Sequence, residues 1–215
     1  AIEDWELLAH ASYLYTDIDA KIQNFPDGTV LPIDGMGNIN PVTPSILSFF
    51  PEGMLTDIGI KNQVVSFEMS SIFKGFEDHS IRFSTGYRYE EVSTKEKRNY
   101  GAGILDGTQA VVDGTLTKTT GTDLEFLPDS HRSIWSVAMQ DEWQIAQDWQ
   151  LTVGLRFDEY SDFGSTFNPR VALVWGINEQ LSAKLMYGQA FRAPSFLEQK
   201  QQNSQLFVGN PNLKP

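Results

Sequence analysis

The chain has 215 residues, 16 Lys and Arg against 28 Asp and Glu, a net charge of -12 and no cysteine. That length suits one all-β domain or part of a larger one. The missing cysteine excludes a disulfide framework and a Cys-based metal site, and fits cytosol and cell envelope alike. Basic residues are scattered singly apart from Lys95–Arg98, which reads as a solvated loop, so the chain lacks the basic face of a nucleic-acid binder. No window approaches the 18 consecutive apolar residues of a spanning helix. A mean hydropathy of -0.29 still admits a barrel, whose strands expose apolar side chains on one face only. The opening AIEDWELLAH has no basic region followed by an apolar core, so the chain is expected either to be cytosolic or to have lost its start.

Period-two alternation organises the chain. From Trp5 to Tyr15, Trp5, Leu7, Ala9, Ala11, Tyr13 and Tyr15 share one face, against Glu6, Leu8, His10, Ser12 and Leu14. Val65–Phe73 follows the rule less strictly. From Ile81 to Glu90, Ile81, Phe83, Thr85, Tyr87 and Tyr89 oppose Arg82, Ser84, Gly86, Arg88 and Glu90. Ile134–Ile145 is a fourth strand. In the fifth, Trp149, Leu151, Val153, Leu155 and Phe157 oppose Gln150, Thr152, Gly154, Arg156 and Asp158. Arg170–Trp175 and Leu181–Gln189 complete a predicted set of seven strands. Long loops are expected over about 16–59, 93–130 and 191–215, with a medium loop SDFGSTFNP and short turns between them. All ten prolines are placed in loops or at a strand's first residue, as Pro169 is, where no ladder hydrogen bond is lost.

Alternation alone leaves two media for the apolar stripe, a soluble core or lipid. Aromatic residues favour lipid. Phe73, Trp143, Trp149 and Trp175 fall beside the short turns, and Tyr13, Tyr15, Tyr87, Tyr89 and Phe157 toward the long loops, where two headgroup girdles would lie. About five same-face positions, at about 3.4 Å per residue and roughly 40° tilt, span about 25 Å, the height of a barrel's apolar band. The opposite face mixes charge with small residues, as a wet lumen does. Asp141 lies on the apolar side between Met139 and Trp143, which is tolerable near an interface. The alternative is a soluble β-rich domain that binds or processes carbohydrate with its aromatics.

Ser136–Trp175, with the strand signature around Gln140, Asp141, Glu142 and Trp143, resembles the barrel of TonB-dependent outer-membrane receptors. LMYGQAFRAPSF (Leu185–Phe196) and GNPNLKP (Gly209–Pro215) resemble that family's most recognisable pair of segments. The close resemblance covers about His131–Pro215; before it, only strand style and GYRYE (Gly86–Glu90) match. It implies an antiparallel transmembrane β-barrel of 22 strands closed by an N-terminal plug. It also implies residence in the outer membrane of a Gram-negative bacterium, with energy delivered by the TonB complex through a region missing here. The implied cargo is a scarce nutrient, an iron–siderophore complex foremost, with haem or cobalamin as alternatives. Seven strands, with no plug, coupling box or final strand, suggest an internal fragment that would not transport alone.

Ligand contacts in such a receptor are expected on loops and upper lumen. The candidates are Lys95, Lys97, Arg98, Tyr100 and Arg192, each with plain surface as its ordinary reading. In Phe191–Phe196 a structural role is expected, with Pro194 ending the last strand. Catalysis finds little support. Asp141/Glu142, Asp158/Glu159 and Glu90/Glu91 are neighbours in strands and point to opposite faces. His10, His79 and His131 lack metal-ligand spacing, and no cofactor is implied.

Overall fold

The computed structural model describes residues 4–202 and 208–213. In chain order it contains β1 (Trp5–Phe25), β2 (Thr29–Ile33), β3 (Ile46–Phe50), β4 (Met54–Phe73), β5 (His79–Arg98), β6 (Thr117–Lys118), β7 (Ser130–Ala146), β8 (Trp149–Tyr160), β9 (Gly164–Asn178), β10 (Leu181–Gly188) and the short helix α1 (Phe196–Lys200). Seven long strands form one sheet in the order β1-β4-β5-β7-β8-β9-β10, with β6 paired onto β5, while β2 and β3 form a separate hairpin. Every pairing is antiparallel and each long strand lies beside the next long strand in sequence. This is the up-and-down meander of a barrel wall. Among the described residues β1 and β10 each have one neighbour, so the sheet is not closed.

The register carries the apolar stripe across all seven strands. One row runs Trp5, Phe73, Ile81, Asp141, Val153, Val171, Tyr187, and the next Leu7, Ser71, Phe83, Met139, Leu155, Pro169. These outward side chains are not packed into a core; Leu7 is 74% exposed. Aromatics gather at both ends. Trp5 meets Phe73 at 4.7 Å and Trp149 stacks on Trp175 at 5.1 Å beside the short turns, while Tyr87 meets Trp135 at 4.7 Å toward the other end. Asp141 sits two residues from Trp143 near the short-turn girdle. Its Oδ2 lies 2.8 Å from Nδ1 of His79, whose ring stacks on Trp143. A histidine within hydrogen-bond reach at interface depth gives the carboxylate on the apolar side a polar partner.

Several boundaries differ from those expected of the sequence. β1, β4 and β5 run 20 or 21 residues, so Thr16–Phe25, Met54–Gly59 and Ser93–Arg98 are strand, not loop, and 60–64 and 91–92 join the strands as well. The alternation there continues with reversed chemistry. On β1 the outward residues become Asp17, Asp19 and Lys21 while Ile18, Ala20 and Ile22 turn inward. Strands that leave lipid put polar groups outward; on the inward side Ile58 of β4 is buried, while Ile18 and Ile22 of β1 stay exposed at the open edge. Lys95–Arg98 therefore belongs to β5 and is no solvated loop. The medium loop shrinks to a turn between Tyr160 and Gly164. Pro169 falls inside β9 and Pro32 inside β2, against the expectation that strand interiors are free of proline. Pro32 is tolerated because a two-stranded hairpin leaves each strand one unpaired side. Beside Pro169, which lacks an N–H, the last strand ends: β10 stops at Gly188 opposite Arg170, six residues before Pro194, the expected stop.

The hydrophobic core of the described residues lies outside this wall. Leu31, Ile33, Phe50, Met54, Leu105 and Val112 cluster between the β2–β3 hairpin and the segment after β5. Asn99 stitches the two, accepting from the Leu55 backbone N–H (2.8 Å) and donating to the carbonyls of Gly53 (3.0 Å) and Asp113 (3.1 Å). The long connections are thus a packed layer with its own interior.

Candidate functional site on the inward wall

The inward face builds its polar surface from strand parity. Arg82, Gln140, Gly154 and Arg170 form one cross-strand row, and Gly86, Ser136, Asp158 and Thr166 another. Small residues make room for long ones. A Cβ on Gly154 would lie 2.7 Å from Nε of Arg170, so the glycine lets that guanidinium lie across the strand. Arg88 donates to Glu90 at 2.6 Å and Arg156 forks onto Asp158 at 2.6–3.0 Å, each two residues along one strand on one face. Asp158 is 4% exposed, so its charge is held by that fork. Arg82 and Arg170 have no ion pair or side-chain hydrogen bond among the described residues. Both line a groove of about 430 Å³ floored by Ser84 and Ala138 and closed by Gln189–Phe191. A second recess of about 480 Å³ shares its Glu68, Arg156, Asp158 and Tyr160 and continues to Arg132.

Arg132 is the residue that sequence reasoning missed. It is 3% exposed. Its Nε donates to both oxygens of Asp162 (2.9 and 2.8 Å), and its Nη2 donates to the Pro194 carbonyl (2.9 Å) and Gln199 Oε1 (3.0 Å). Its guanidinium lies between the rings of Phe163 and Phe196, 4.9 and 4.8 Å from their centroids. Tyr160, Phe163 and Phe191 form an aromatic cluster beside it. One side chain thus pins the segment after β10 over the groove. The available signal was an arginine at an inward parity position, but its partners are 30, 62 and 67 residues away.

The candidates named from the sequence scatter. Arg98 is 4% exposed, donates through Nη2 to the Leu124 carbonyl and lies 5.6 Å over the Tyr100 ring. Tyr100 shares hydrogen bonds with Thr56 (2.8 Å) and Asn24 (3.0 Å). Both are placed within the loop layer, away from the groove. Lys95 and Lys97 point outward. Arg192 is exposed and paired with Glu198 (3.0 and 2.7 Å). His10, His79 and His131 lie apart, on the inward wall, beside Asp141 and beside Tyr89.

Glu198 holds α1 in place. It accepts from Arg192 and from the Ser195 N–H (2.8 Å), while Ser195 caps the helix in return. The Arg192 guanidinium and the Ser195 donors lower its carboxyl from 4.5 to about 2. A depressed carboxyl contributes stability above its unfolded value, and that contribution is lost as pH falls from about 4.5 through about 2. Pepsin cleavage at Phe196–Leu197, normalised to a reference peptide, is therefore expected to stay slow at pH 4 and rise toward pH 2. Glu198→Gln should be cleaved readily at both.

A model of the TonB dependent receptor-like beta-barrel family matches residues 3–215. An iron-regulated outer membrane virulence protein of Vibrio cholerae is 36% identical over 86 residues, covering 38% of this chain and 13% of that protein. The vitamin B12 transporter BtuB of Vibrio cholerae is 27% identical over 139 residues, 65% of this chain and 20% of that one. The ferric enterobactin receptor PirA of Pseudomonas aeruginosa is 29% identical over 85 residues, 40% and 10% respectively. The crystal structure of the siderophore receptor PirA aligns over 96% of this chain and 50% of its own, with a TM-score of 0.38 and 15% identity. The chain spans between 10% and 20% of the length of these curated relatives. The soluble carbohydrate reading falls here, because the family match accompanies an uncovered apolar stripe and a charged inward face. Matched along almost its whole length and folded as an antiparallel barrel wall, the chain belongs to the TonB-dependent receptor β-barrel family of the Gram-negative outer membrane.

Proposed function

We propose that this chain is barrel wall of a receptor that imports an anionic iron–siderophore complex, powered through the TonB complex, with its long connections facing outside. The observation that carries the ligand class is the pair Arg82 and Arg170, two guanidinium groups without a counter-ion lining an inward groove. A ferric catecholate or carboxylate chelate supplies the anionic oxygens such groups bind, and Tyr160 and Phe191 beside them offer ring surface. The relatives' names support iron, since the virulence protein is iron-regulated and PirA is a ferric enterobactin receptor. The role is capture and passage of a ligand, without a chemical step.

Cobalamin is the second reading, favoured by the longer alignment with the B12 transporter, 65% of this chain against 38% and 40%. The full receptor in cells stripped of their own uptake systems separates the two. Radio-labelled ferric enterobactin is expected to accumulate only when TonB is present. Arg82→Gln with Arg170→Gln is expected to reduce its binding about tenfold, the loss of roughly one charge-assisted hydrogen bond. Accumulation of labelled cobalamin without ferric chelate would overturn the iron reading.

A further inference from the structure

The strap that follows β10 lines the inward recesses but is held from outside the Arg82–Arg170 groove. Gln189–Phe191 line that groove and Ala193–Ser195 line the second recess. Backbone ties fix the ends of the strap: the Gln189 N–H donates to the Pro169 carbonyl (3.0 Å) and the Gln202 N–H to the Phe126 carbonyl (2.9 Å). Between these ties, among the described residues, the hydrogen bonds from 190–199 to the sheet all come from Arg132. The capping box of Ser195 and Glu198 starts α1, and one helical turn sets Phe196 and Gln199 on the same face, toward the guanidinium. Arg132 is already committed, through Nε to Asp162 and through Nη2 to the strap, and it does not line the Arg82–Arg170 groove. A ligand in that groove meets Arg132 only through what Arg132 holds.

What it holds is aromatic. Phe163, 4.9 Å from the guanidinium, stacks on Tyr160 at 4.3 Å. Phe191, carried by the strap, stands edge-on to Tyr160 at 6.2 Å and tilted to Phe163 at 5.7 Å. Tyr160 and Phe191 line the groove together with Arg82 and Arg170. Without Arg132 the stretch between the two backbone ties is free to open locally, and Phe191 leaves its place with it. We propose that Arg132 is a positioning residue for the groove: by fixing the strap it sets Phe191 against Tyr160 as the aromatic wall, and so governs how long an anionic aromatic chelate stays bound. The chelate part rests on the iron–siderophore reading. Contact made by a ring already in place slows release, and release is where most differences in affinity between variants of one site arise.

The full receptor, purified in detergent, is loaded with ferric enterobactin, and the number of sites and the dissociation rate are read separately. Arg132→Ala is expected to release the chelate about tenfold faster, the loss of one aromatic contact, with the number of sites per folded receptor unchanged. Phe191→Ala should do the same. The double variant should release no faster than Phe191→Ala alone, because Arg132 acts through that ring. Arg132→Lys should recover part of the residence time. Wild-type rates with fewer sites in Arg132→Ala would reduce Arg132 to a folding role, and effects that multiply in the double variant would cut its link to Phe191; either result overturns the proposal. A readout without ligand separates the role of Arg132 from the choice of cargo. Ser84→Cys, on the groove floor, should react with a bulky maleimide faster when Arg132→Ala is added. Wild type that binds no ferric enterobactin overturns the iron reading. The labelling then decides the rest: a raised rate sustains the positioning of the aromatic wall by Arg132, and an unchanged rate overturns it.

Discussion

Arg132→Ala is expected to destabilise the loop-side end of the wall by about 3–5 kcal/mol, the usual cost of removing one partner of a buried ion pair. Asp162 would lose its bidentate partner, and the Pro194 carbonyl and Gln199 amide would lose their donor. Phe163 and Phe196 would each lose the guanidinium that lies over its ring. The segment that closes the groove should then open locally. Hydrogen exchange by mass spectrometry on the full receptor should show faster exchange across 189–202, with β7 and β8 below the site unchanged. Arg132→Lys keeps the charge but loses the fork and the planar stacking, so it should restore at most part of the protection. Wild-type exchange in Arg132→Ala would mean the segment is held by the Ser195–Glu198 cap alone.

The second large effect separates lipid from a protein core. Leu155 points outward within the apolar band, six residues from Trp149 and four from Glu159, which the register sets opposite Trp135 in the upper aromatic row, with Met139 and Pro169 as cross-strand neighbours. Leu155→Lys is expected to cost about 2–4 kcal/mol, the value for a cation at the bilayer midplane on a barrel's lipid face. Thr152→Lys, on the same strand but facing inward opposite Glu142, should change stability by less than about 1 kcal/mol. Urea titration of the receptor refolded into phospholipid vesicles measures both. Equal costs at the two positions would contradict the assignment of faces.

How much of this was legible before folding differs by element. The stripe of Trp149, Leu151, Val153, Leu155 and Phe157 could be read directly, because period-two alternation is a local property and a strand must put alternate residues on opposite faces. The girdles followed, since each ring's height is set by its place along its own strand. The reversed alternation of Asp17, Ile18, Asp19, Ala20, Lys21 and Ile22 was equally present, yet turn-rich flanks made Thr16–Gly59 resemble a loop. The reversal becomes meaningful only once the loop core of Leu31, Ile33, Phe50, Met54, Leu105 and Val112 is seen above the membrane span.

The inward site lay beyond sequence reasoning for a different reason. Arg98, Tyr100 and Arg192 looked available because they sit in polar, aromatic stretches, but two are embedded in the loop layer and the third is paired with Glu198. The groove needs Arg82 on β5 and Arg170 on β9, and the clamp needs Arg132 on β7, Asp162 in a turn and Gln199 in α1. The sequence by itself determined which face of each strand is apolar and, through the aromatic girdles and the family resemblance, pointed to lipid as the medium outside the wall. Only tertiary structure decided which charges meet inside, because cross-strand register joins residues far apart in the chain and no local pattern encodes their pairing.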